Sequence, residues 1–123
     1  RKILNTKLIP EKSSARLIGV IKDDAGAAIS GASLTTLVLT IFDLETQAIV
    51  NSVNQINILN TGRGSVDGLG NFIVQFVPND NQVLNAARII EPHIWLFEWT
   101  YQSGARAGKQ EVLVNIQNLS KVT

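Results

Sequence analysis

His93 is the single histidine of the 123-residue chain, and cysteine is absent. Nucleophilic or general-base chemistry would therefore have to pass through this one imidazole or through carboxylates. A hydrolytic triad needs the imidazole beside a serine and an aspartate. His93 instead follows Pro92 at the head of an aromatic segment, where a structural role is expected. Glu91 and Glu98 flank it, but seven residues along an extended segment separate them too far for paired-carboxylate catalysis. No catalytic residue is assigned, and the expectation is that the chain is not an enzyme.

Two other stretches bear on ligand chemistry. The run from Gly62 through Arg63, Gly64, Asp67 and Gly68 to Gly70 has the glycine content of a phosphate cradle. It lacks the Gly-Lys-Ser/Thr ending, and a strand pattern follows it in place of a helix, so it reads as a hairpin connection. Asp23, Asp24, Asp67 and Asp80 lack the one-three-five spacing of a calcium loop and read as turn residues. No metal and no cofactor is expected. Trp95, Trp99 and Tyr101 share a face and could stack sugars, but a face of that size is more economically the core. A carbohydrate-binding accessory module, with a glycan as ligand, is the alternative this stripe keeps open.

The element that must position these residues is the segment from His93 to Tyr101, which alternates with period two. His93, Trp95, Phe97, Trp99 and Tyr101 fall on one face; Ile94, Leu96, Glu98 and Thr100 fall on the other. Burying one such ring stabilises a fold by roughly 2–3 kcal/mol, so this strand is expected to be central. Against it, Phe72 and Phe76 alternate within Asn71–Val77, and Leu37 and Leu39 within Ser33–Asp43. These seven residues (Leu37, Leu39, Phe72, Phe76, Trp95, Phe97 and Trp99) are the predicted core. Val38 and Phe42 line the opposite face of their strand. That face also needs a cover, from a local segment or from another chain, which makes both residues interface candidates.

The remaining punctuation is that of strands and turns. Ala15–Lys22 closes on Asp23-Asp24-Ala25-Gly26, and Glu111–Ile116 follows a turn flanked by Gly104 and Gly108. Ala48–Val50 reads as a short strand. Ser52 and Gln55 have capping-box spacing, predicting one or two helical turns that end near Gly62 and cover the strand before them. Asp80 is placed to cap a second short helix through Arg88. Residues 1–14 read as an extended arm outside the domain at 15–123, because Pro10 and a polar linker interrupt them. Ile3, Leu4, Leu8 and Ile9 would then contact a neighbouring chain; an edge strand of the same domain is the competing reading. Six or seven strands at this spacing predict an all-β, antiparallel sandwich with short helical turns.

Composition narrows the partners. Eleven basic and ten acidic residues give a net charge of +1, which argues against nucleic acid as the main ligand. No apolar run reaches the roughly 18 residues of a spanning helix, so no membrane partner is expected. Eleven Asn and seven Gln suit hydrogen-bonded protein contacts. With no Met and Arg1 first, a processed N-terminus or a fragment is expected.

Two resemblances rest on particular residues. Leu17–Leu34, with Val66-Asp67-Gly68-Leu69-Gly70-Asn71-Phe72, resembles the repeat logic of small bacterial Ig-like and transthyretin-like sandwiches. A longer series is similar to small Ig-like structural proteins of tailed bacteriophages. It comprises Leu37–Asp43, Thr46–Asn51, Ile58–Asn60, Pro78–Asp80, His93–Trp99 and Val114–Val122. That resemblance implies a virion part, assembled in the host cytoplasm. Such a protein decorates or joins capsid, neck or tail components, its partners being other virion proteins and copies of itself.

Overall fold

The computed structural model describes residues 3–61 and 63–119, with the side chains of residues 3–6 outside that description. Arg1, Lys2, Gly62 and residues 120–123, and hence the ends of the predicted arm and of the virion-like series, also lie outside it. The chain is all-β, with two packed sheets. Its strands are β1 (Ile3–Pro10), β2 (Ala15–Val20), β3 (Leu34–Asp43), β4 (Ile56–Asn57), β5 (Gly64–Val66), β6 (Asn71–Phe76), β7 (Ile90–Tyr101) and β8 (Arg106–Gln117). One sheet has the order β1-β8-β7-β3-β4 and the other β2-β6-β5.

The aromatic strand is central, as its alternation requires. β7 pairs antiparallel with β3 on one side and β8 on the other, and Trp95 stands between Ile41 and Val112. Its indole stacks on Phe76 of the opposite sheet, with centroids 3.7 Å apart and planes at 13°. Phe97 meets Phe72 edge-on at 5.7 Å. Leu37, Leu39 and Trp99 are buried in the same cluster. Trp99 lies across Gly108 of β8, where an added Cβ would come within 2.7 Å of the indole. That position must therefore be glycine for the ring to lie flat.

Three features depart from the sequence reading. The first concerns residues 3–10, which form β1, an edge strand of the chain's own sheet running parallel to β8 with Ile9 opposite Ile116. The pairing makes the sandwich mixed, not wholly antiparallel. Ile9 is buried in the core while Leu8 is 60% exposed. Main-chain hydrogen bonds from Glu11 to Gln117 and from Lys12 to Asn81 fasten the linker as well. Pro10 does not detach the strand, because it is the last residue on an outer edge, where a missing N–H costs little.

The second is residues 44–60, which form no helical turn. Their backbone runs back along β3: Val50 donates to Ile41, Ile41 to Val53 and Ile58 to Leu37, each at 2.9 Å. Asn51, Ser52 and Gln55 have φ between 53° and 58°, which a right-handed helix cannot contain. Each excursion lets the next apolar side chain return to the interior, as a bulge does. Val50, Val53 and Ile58 thus enter the core cluster and do not cover the outer face. Phe42, on that outer face, is nonetheless buried, with a bridge to Ile49 and Ile94 beside it. It is not available to another chain, whereas Val38 is half-buried.

The third is residues 82–88, which form no helix; a single 3-10 turn spans Pro78–Asn81. If β1 belongs to the domain, deleting residues 1–10 should destabilise the monomer by about 2 kcal/mol or more, the scale of one buried isoleucine. Urea unfolding would read this, and an unchanged midpoint would return the segment to the status of an arm.

Candidate functional site

The end of β3 and the start of β7 carry the chain's main concentration of buried polar groups among the described residues. Asp43, Glu91 and His93 are almost wholly buried there. On an extended strand Glu91 and His93 share a face, and His93 Nε2 lies 2.6 Å from Glu91 Oε1. The Glu91 oxygens also accept the backbone N–H groups of Leu84 and Asn85 at 2.8 and 2.9 Å. Those two N–H groups are therefore held by a carboxylate and not by helical carbonyls.

Arg88 closes the cluster from the loop. Its Nη1 donates to Asp43 Oδ1 at 3.1 Å and lies 3.7 Å from Glu91 Oε2, while Nη2 reaches Glu45 at 3.1 Å. Burial pushes the Asp43 carboxyl up. Hydrogen bonds from Thr46 and Arg88 and the charge of Arg88 outweigh it, and the group sits below its ordinary value. The hydrogen bond to Asp43 correspondingly raises Arg88. On the far side of the loop, Asn118 Nδ2 donates to the carbonyls of Ala86 and Arg88 at 3.1 and 2.9 Å.

A third buried carboxylate, Asp80, accepts from Arg63 Nη1 at 2.6 Å, Asn51 Nδ2 at 2.9 Å and the Val77 N–H at 2.8 Å. It joins three connections that sequence places far apart. Asp67 and Asp23 organise turns: Asp67 accepts from the N–H groups of Leu69 and Asn71, and Asp23 from those of Ala25 and Ala27. Hydrogen bonds from the Asn71 side chain and the backbone hold Asp67 below its ordinary value. Among the described residues no three His, Cys, Asp or Glu side chains converge as a metal site.

Chemically, the Asp43–Arg88–Glu91–His93 cluster positions a loop. His93 has no exposed surface, and among the described residues no hydroxyl hydrogen-bonds to it. What the cluster holds in place is aliphatic. Leu84, Ile89 and Ile90 are exposed on or beside the loop. Leu119 joins them, since Asn118 N–H donates to the Ile89 carbonyl. Trp95, Trp99 and Tyr101 are at most 8% exposed, so they offer no ring face to a sugar.

The Glu91–His93 pairing was open to inspection in the sequence, because residues two apart on a strand are neighbours. Arg88 with Asp43 and Arg63 with Asp80 join residues from different elements, and no local pattern marks them. No protein-family model, curated protein or solved structure matches the chain.

Two outcomes follow from this geometry. Glu91→Ala strands a buried imidazole and two N–H groups, so it should cost about 3–5 kcal/mol and speed amide exchange at Leu84 and Asn85. The folded Asp43 pKa lies below the ordinary 3.8. Its stabilising contribution is therefore complete above that value and is lost as pH falls through the lower folded value. Asp67 titrates in the same window, so Asp43→Asn should flatten the acid limb of a stability–pH curve without abolishing it.

Proposed function

We propose that the chain is a non-catalytic structural module, an immunoglobulin-like part of a tailed-bacteriophage virion that joins or decorates other components through protein contacts. The observation that carries this reading is the exposed Leu84 and Ile89 on a loop that two buried polar anchors hold in place, with Ile90 at the start of β7 and Leu119 beyond β8 exposed beside it. Loops fixed to a stiff scaffold are where binding surfaces concentrate, and exposed aliphatic groups held there favour a protein partner.

The strand order supports the immunoglobulin-like part of the proposal. A β2-β6-β5 sheet facing β8-β7-β3-β4 corresponds to the B-E-D and G-F-C-C′ arrangement of variable-type sandwiches. Of the segments that resemble virion proteins, Leu37–Asp43, His93–Trp99 and the start of Val114–Val122 fall on β3, β7 and β8, which build the core. They support a shared scaffold more than a shared surface.

In particles purified on a density gradient, the chain should appear at a fixed stoichiometry to the major structural proteins by mass spectrometry. The double variant Leu84→Glu, Ile89→Glu should keep its melting temperature and drop out of the particles. Recovery of the wild-type chain only in the free fraction would sink the proposal.

A further inference from the structure

The sandwich has two long edges on the side where the chain begins, and they are built differently. β1 carries Lys7, ends in Pro10 and has a register shift between Ile3 and Asn5, the devices by which an edge repels an incoming strand. β2 has neither a proline nor a register shift, and its one charged residue, Arg16, stands near its start. Its six residues pair with β6 in unbroken register, Ala15 opposite Phe76 through Val20 opposite Asn71. It contains neither Lys nor Pro, and Ile18 and Val20 are 63% and 42% exposed. Among the described residues no strand pairs with β2 on its other side.

Beside that edge the two sheets do not close. A crevice of about 50 Å³ runs along Leu17–Ile21 and is bounded across the gap by Phe72, Phe97, Trp99, Gln110 and Val112. Trp99 borders it from across Gly108.

We propose that the β2 edge accepts an extended strand from a partner polypeptide, one of whose small aliphatic side chains enters this crevice. This is strand addition, with main-chain hydrogen bonds supplying affinity and the crevice supplying selectivity. It rests on the reading of the chain as an assembly module. A second copy of the chain offering its own β2 does not fit: Leu17 and Ile21 are already buried in its own core, which leaves no inward side chain for the crevice. Arg16 and Lys22, at the two ends of the edge, have no ion pair among the described residues. The incoming strand should therefore carry acidic residues at its ends.

The probe is the capped hexapeptide acetyl-ETVTVE-amide, titrated into isotope-labelled protein and followed by NMR. The Trp99 indole N–H should shift, and amides of Ala15–Val20 should exchange about tenfold more slowly at saturation, while those of β1 do not. An analogue N-methylated at alternate residues, with the same side chains, should do neither. Gln110→Phe, which fills the crevice from its partly exposed rim, should weaken binding about tenfold. Three results would overturn the proposal: no shift at millimolar peptide, equal binding by the N-methylated analogue, or the same shift produced by raising protein concentration alone. Peptide binding does not depend on particles, so absence of the chain from virions would remove the functional reading and leave this result to stand or fall separately.

Discussion

The contact on which the rest of the sandwich depends is the stack of Trp95 on Phe76 between the sheets. A ring pair this close, with both members almost fully buried, fixes the local spacing of the two layers and the register in which β7 faces β6. Because side chains on a strand alternate, setting Trp95 inward also sets Phe97, Trp99 and Tyr101 inward and, at the other end, His93 and Glu91. A slip of one residue would turn the whole set to solvent. The cost of burying two polar side chains is thus imposed by the same periodicity that builds the aromatic core.

That constraint explains why the polar cluster lies where it does. Glu91 and His93 cannot leave the interior without taking the rings with them, so their polar atoms must find partners inside. The loop between β6 and β7 supplies Glu91 with two N–H groups and the Arg88 guanidinium, and Glu91 pairs with His93 Nε2, while His93 Nδ1 has no partner among the described residues. In return the loop is held in a shape that needs no regular secondary structure. Asp80 does the same for Arg63 and the segment beside β3. Each buried carboxylate therefore substitutes for a helix or a ladder in ordering a connection; on the β6–β7 loop Leu84 and Ile89 stay exposed, whereas Val50, Val53 and Ile58 beside β3 enter the core.

Legibility in the sequence followed the same division. β2, β3, β6, β7 and β8 repeat with period two over six residues or more, and the turns at Asp23–Gly26 and Asp67–Gly70 carry their own side-chain caps, so both kinds of signal are local. Residues 52–60 read as helical turns because each bulge resets the alternation. The resulting apolar spacing at Val53, Ile56 and Leu59 then imitates a helical face. Residues 1–14 read equally as an arm or an edge strand because the partner of β1, β8, lies about a hundred residues away, and nothing within Ile3–Pro10 indicates which strand it joins. The ion pairs are invisible for the same reason. Within the candidate site only the spacing of Glu91 and His93 was available beforehand.

The contrast between the two edges adds a last step. An exposed strand edge is a hazard, and selection against aggregation tends to leave charge, proline or irregular register on it. β1 has all three and β2 has none of them, apart from Arg16 at its start. Both edges belong to one chain and flank one side of one sandwich, so a general demand for solubility would have acted on both. An edge left regular and aliphatic beside an unfilled crevice is the pattern expected where a strand is meant to dock.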